Sequence, residues 1–148
     1  MASSTPIKPV EILLVEDNPA DAELAQIGLK AGKILNDVTV VEDGESAIAF
    51  LRREGDFADA PVPDLILLDL NLPGMDGPEV LEIVKNDPAL KMIPVVVLTT
   101  SDAVPDIERA YSNYANAYMT KPVDFSQFHD LMLGLEEYWF KLVRLPKG

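Results

Sequence analysis

The chain has 148 residues, of which 48% are hydrophobic, enough for one small domain with a substantial core. Its 12 basic and 25 acidic residues leave a net charge of −13, a surface that repels nucleic acid and anionic membranes. Without cysteine there is neither a disulfide nor a thiolate metal site, and residues 1–9, with one lysine and no apolar core, do not read as a secretion signal.

In chain order, strand and helix patterns alternate. Residues 10–15 form a nearly continuous apolar run, as in a strand covered on both faces. Asn18 is a natural N-cap and Pro19 suits the first helical position. Ala20, Leu24, Ile27 and Ala31 follow at helical spacing, and Gly32 is a stop signal. Residues 38–41 predict a second strand, and Asp43-Gly44 leads into a helix with Ala47, Ile48 and Leu51 on its inner face. Residues 53–63 are charged and carry glycine and proline, which predicts an extended surface loop. Residues 65–68 predict the third, central strand. The loop Leu72-Pro73-Gly74-Met75-Asp76-Gly77 then precedes a helix opened by Pro78 and packed through Val80, Leu81 and Val84. Residues 94–98 predict a fourth strand, 106–111 fall in a short helix, 115–119 in a fifth strand, and a last helix starts at Asp124. Apolar runs are strand-sized, far short of the roughly 20 residues that span a bilayer, so a soluble cytoplasmic protein is expected.

Alternation with short connections predicts an α/β fold: a flavodoxin-like, doubly wound (βα)5 arrangement. Its five-stranded parallel sheet has the order 2-1-3-4-5, with helices on both faces. Residues 1–148 read as a single domain, with a flexible N-terminus at 1–9 and a long last helix plus tail at 124–148.

In such a sheet, ligands bind beyond the carboxyl ends of the strands. Glu16 and Asp17 follow the first strand, Asp69 the third, Thr99 the fourth and Lys121 the fifth. A lone aspartate at a strand end more often caps or solvates a loop, but three acids, a hydroxyl and an ammonium together suit a carboxylate that accepts a phosphoryl group. Asp69 is the expected acceptor, with Thr99 and Lys121 binding phosphate oxygens. Glu16, Asp17 and Asp69 would hold Mg2+, one of the adjacent pair acting through water, and Asn71 is placed to add its backbone carbonyl.

Several of these segments resemble the receiver domain of two-component response regulators, and the resemblance covers nearly the whole chain. Leu13-Leu14-Val15-Glu16-Asp17-Asn18 is similar to the family's acidic-pair motif, and the stretch from Asp69 to Gly77 to its phosphorylation loop. Thr99-Thr100-Ser101 matches the hydroxyl position, Tyr118 the aromatic switch, and Lys121-Pro122 the lysine with its following proline. Thr99 and Lys121 lie 30 and 52 residues beyond Asp69, as the family's short loops require. The chain departs from many members in having Glu16 rather than aspartate, and in its longer 53–63 loop. The resemblance implies phosphorylation of Asp69 by a histidine kinase, switching through Thr99 and Tyr118, and a cis Lys121–Pro122 bond turning the ammonium towards the phosphate. His129, the only histidine, lies on the last helix and is not expected to donate phosphate or bind a ligand.

The last helix carries Phe125, Phe128, Met132, Leu135, Trp139 and Leu142 in one stripe, with Leu131, Tyr138, Phe140 and Val143 beside it. One face on a sheet needs only the first set. The surplus, with the tail from Lys141 to Pro146, predicts either further capping of the core or an apolar homodimer surface. This tail and the long 53–63 loop resemble the single-domain response regulators that partner bacterial phytochromes. Three alternatives compete. A haloacid-dehalogenase-type phosphohydrolase would want an acid where Asn71 stands, and a flavodoxin would want a phosphate-binding loop where Glu16-Asp17 stands. A non-phosphorylated pseudo-receiver would not need the full set of acids, hydroxyl and lysine.

Overall fold

In the computed structural model of the chain, residues 9–32, 35–121 and 125–142 are described, with side chains excluded at 125, 128 and 136–142. The expected flexible N-terminus, the tail beyond Leu142 and the Lys121–Pro122 bond therefore lie outside the described residues, apart from residue 9.

The strands are β1 (Val10–Val15), β2 (Asn36–Val41), β3 (Leu65–Leu68), β4 (Val95–Thr99) and β5 (Ala117–Thr120), all parallel in the order β2-β1-β3-β4-β5. They alternate with α1 (Pro19–Ala31), α2 (Gly44–Leu51), α3 (Gly77–Asn86), α4 (Val104–Ser112) and α5 (Phe125–Leu142). This is the predicted flavodoxin-like topology. Every residue of β3 and β4 is buried, which explains their unbroken apolar sequence.

Strand alternation splits the core in two. Leu13, Val15, Ile66, Leu68, Val95 and Val97 pack with α2 and α3 on one face. Ile12, Leu14, Leu65, Leu67, Val96 and Leu98 pack with α1 and α5 on the other. Asn18 caps α1 as predicted, its side chain accepting from the N–H groups of Ala20 and Asp21.

Of the apolar residues at helical spacing on α1, only Leu24 packs against the core. Ala20, Ile27 and Ala31 are exposed, while Ala22, Ala25, Gly28 and Leu29 are buried. The small residues let α5 come close: a methyl group on Gly28 would stand 2.7 Å from Met132 Cβ. Met132 and Leu135 of the predicted α5 stripe are fully buried there, and Leu131 packs at the edge. Strand β5 begins two residues later than predicted. Asn116 is instead used as a clasp, its side-chain oxygen accepting from Val95 N–H at 2.9 Å and from Lys85 Nζ at 3.3 Å. The 53–63 loop holds one 3-10 turn, Gly55–Phe57, whose Phe57 ring packs edge-on against Phe50 at 5.5 Å.

Candidate functional site

Register brings the site together. Val15 pairs with Leu68, Leu68 with Val97, and Thr99 with Thr120, so the carboxyl ends of β1, β3, β4 and β5 form one edge. Glu16 and Asp69 each lie one residue past a strand and keep a ladder bond, from Glu16 N–H to Val41 O and from Asp69 N–H to Val15 O. Lys121 N–H donates to Thr99 O at 2.7 Å. Among the described residues, the buried polar or charged side chains are Glu16, Asp69, Thr99 and Lys121, all on this edge. Buried charge is costly unless paired, so their concentration here calls for mutual compensation.

Lys121 supplies it. Its Nζ donates to Asp69 Oδ2 at 2.8 Å, to Asp21 Oδ2 at 3.1 Å and, at close range, to Glu16 Oε1. Burial alone would lower the lysine pKa, but the bonds and charges of Asp69 and Glu16 outweigh it and raise it. Burial, reinforced by the bond and charge of Asp69 and opposed by Lys121, pushes the Glu16 carboxyl up to about 7. Asp69 moves the other way. Burial would raise it, yet bonds from Glu16, Lys121 and the Asn71 N–H hold it below the ordinary carboxylate range. The Asn71 bond, 3.0 Å to Asp69 Oδ1, leaves Oδ2 facing the ammonium.

The loop after Asp69 is held from both sides. Gly77 N–H donates to Leu70 O, and Glu45 Oε1 on α2 accepts from Met75 N–H at 3.0 Å. Gly74 takes a φ of +68°, which suits a residue without a Cβ. Thr99 is fully buried, its Oγ1 3.5 Å from Asn71 Nδ2 and from Ser101 N. Tyr118 is half-buried on β5, and its hydroxyl donates to Ser101 O at 2.7 Å. Ser101 Oγ in turn bonds Asp106 in the first turn of α4 and accepts from Ala103 N–H. Thus Asn71, Thr99 and Ser101 lie along one path from Asp69 to Tyr118 and α4.

Glu16, Asp17 and Asp69 bring carboxylate oxygens within 4.8 Å of one another, with Asp17 exposed and the other two buried. Hard oxygen donors with an excess of negative charge fit a divalent cation such as Mg2+ or Mn2+.

Comparison with known proteins gives the context for this arrangement. Residues 12–133 match the family model of the response regulator receiver domain. The chain belongs to the response regulator receiver family. The receiver is 45% identical to response regulator Rcp1 of Synechocystis over 138 residues, 93% of this chain and 94% of that protein. The crystal structure of the Mn2+-bound form of Rcp1 aligns at a TM-score of 0.87 and 45% identity, over 93% of this chain and 99% of that one. The phosphorylated cyanobacterial phytochrome response regulator RcpA aligns at 0.88 and 48% identity, over 95% of this chain and all of that one. Receivers are signalling proteins that work with histidine kinases and a divalent metal, which favours the response regulator reading over the phosphohydrolase, flavodoxin and pseudo-receiver alternatives. Among the described residues no helix is long and apolar enough to cross a membrane.

The structure thus brings Glu16, Asp17, Asp69 and Lys121 into one cluster, with Asn71 and Thr99 alongside and Tyr118 one bond further out. Sequence reasoning missed Asp21. An acid in the first turn of a helix reads as a partner of the helix dipole, and nothing local points to a lysine 100 residues away.

Proposed function

We propose that this receiver is a single domain over residues 1–148 that accepts a phosphoryl group on Asp69 from the phosphohistidine of a histidine kinase. The observation that carries the reading is the Asp69 carboxylate itself. It is buried, held below the ordinary carboxylate range, and set between Lys121 and the acids that fit a cation. One Asp69 oxygen attacks phosphorus in line as the P–N bond breaks; the bonding pair leaves with the imidazole, which takes up a proton. Lys121 and the Thr99 hydroxyl bind the phosphoryl oxygens. Glu16, Asp17, Asp69 and the Asn71 carbonyl would hold Mg2+, whose charge offsets the repulsion between the two anions.

Hydrolysis by water then cleaves the new P–O bond, releases inorganic phosphate and restores the carboxylate, an autophosphatase step without a metabolic substrate. Thr99 moving towards a phosphoryl oxygen would vacate space for the Tyr118 ring and break its bond to Ser101, passing the change to α4, β5 and α5. Output is by protein contact in the cytoplasm, without nucleic acid or membrane. Likeness to Rcp1 and RcpA supports a phytochrome-type kinase as the donor. The surplus aromatic residues of α5 and the tail support a homodimer through that helix.

Acetyl phosphate with magnesium should label the wild-type protein with one phosphoryl group and leave Asp69→Asn unlabelled. Full labelling of Asp69→Asn would overturn the assignment.

A further inference from the structure

We propose that Asp21 is a positioning residue for Lys121: from outside the cation-ligand set, it holds the ammonium clear of the divalent ion that Glu16, Asp17 and Asp69 receive. The proposal rests on the cation reading above and adds to it a residue with no part in the phosphorylation motifs.

Counting donors makes the case. A lysine ammonium has three N–H groups, and Lys121 places them on Glu16, Asp69 and Asp21. Its side chain is 3% exposed, so no bond it loses is readily replaced by water. Glu16 and Asp69 belong with Asp17 to the group whose oxygens converge within 4.8 Å, and Asp21 does not. An arriving cation therefore draws on two of the three acceptors that hold the ammonium, and repels the ammonium itself. Asp21 is the acceptor the cation leaves free.

Its position suits that task. The carboxylate is carried on the first turn of α1, where the Asp21 N–H is fixed by Asn18 Oδ1 at 3.2 Å. It reaches inward to the lysine at 3.1 Å while remaining 28% exposed. An acid serving only the helix dipole needs no tertiary partner, so the reach to a buried ammonium is the informative feature. Without Asp21, the ammonium keeps only the acceptors that the cation needs and competes for them.

The test is a binding cycle with magnesium chloride, read by calorimetry on the full chain. Asp21→Asn should weaken binding about three- to tenfold in the wild-type background, from one charge-assisted bond at a partly exposed site. On a Lys121→Met background, with no ammonium left to compete, the same substitution should weaken binding by less than about twofold. Equal weakening in both backgrounds would make Asp21 a general negative charge and overturn the proposal, as would no weakening in the first. Should Lys121→Met fail to fold, proton exchange of the Lys121 ammonium, followed by NMR with magnesium bound, decides alone. Faster exchange in Asp21→Asn supports the tether, and unchanged exchange refutes it. Wild-type magnesium binding is scored first: its absence would overturn the cation reading and this proposal with it, whereas binding that Asp21→Asn leaves unchanged would overturn this proposal alone.

Discussion

Gly77→Ala tests how tightly the loop after Asp69 is built onto the sheet. A methyl group at this position would stand 2.3 Å from the Asp69 carbonyl oxygen, 2.5 Å from Leu70 Cα and 3.0 Å from the Asp69 carbonyl carbon. Non-bonded heavy atoms prefer about 3.5–4.0 Å between carbons, so the clash is with backbone and about an ångström deep. Neither side can recede. Leu68 and Leu70 anchor the strand end in the core, and Val80, Leu81 and Val84 anchor α3. Overpacking costs about 1–3 kcal/mol, and the upper end applies where backbone must move. Against this, alanine recovers at most about 1 kcal/mol of the glycine penalty in a helix. The net loss is about 2 kcal/mol. With a urea m-value of about 2 kcal/mol/M, the unfolding midpoint should fall by about 1 M at unchanged m. Circular dichroism in urea measures this, with Gly134→Ala as the reference. That methyl meets nothing within 4 Å on α5 and should raise stability by about 0.5–1 kcal/mol. A Gly77→Ala midpoint within about 0.2 M of wild type would refute the packing argument.

Asp17→Asn should weaken magnesium binding at least tenfold or so, because it removes a charged ligand at the open side of the cluster, while Glu16→Gln should cost less if Glu16 acts through water. Equal calorimetric affinity for wild type and Asp17→Asn would rule out the ligand role. Thr99→Ala should still be labelled by acetyl phosphate yet lose the change in amide exchange over α4 and β5. No such change in the activated wild type would contradict the switch. The full-length protein should sediment as a dimer at tens of micromolar or so and a truncation ending at Glu137 as a monomer, since buried aromatic side chains contribute about 1.5–3 kcal/mol each. A monomeric full-length protein would assign the α5 stripe to the core alone.

Strand order and the cluster of acids were legible because both depend on local pattern. An apolar run covered on both faces looks the same wherever it lies, and a polar residue ending each run marks the carboxyl edge. What escaped depends on pairing between distant parts. On α1 hydropathy marks Leu24, which does pack against the core, and Ile27, which does not; the helix buries Ala22, Ala25 and Gly28 instead, and at Gly28 it is small size that admits Met132 of α5. The start of β5 was misread because Asn116 spends its side chain on β4 and Lys85, a use that composition does not signal. Asp21 was overlooked for the same reason, its partner being visible only once β5 lies beside β4.

Lys121 directly follows β5, the last strand in chain order, whereas Glu16, Asp21 and Asp69 come from the first and third βα units. A chain emerging from the ribosome thus presents these acids long before their counter-charge exists. Until β5 docks, they must stay hydrated, bind protons or recruit a cation. Placing β5 beside β4 brings an ammonium to these acids, so formation of the complete sheet is coupled to ionic strength and to free divalent ions as well as to apolar burial. The charge balance at this edge is therefore complete only once the fifth strand is in place, and the sheet and the acid cluster stabilise each other.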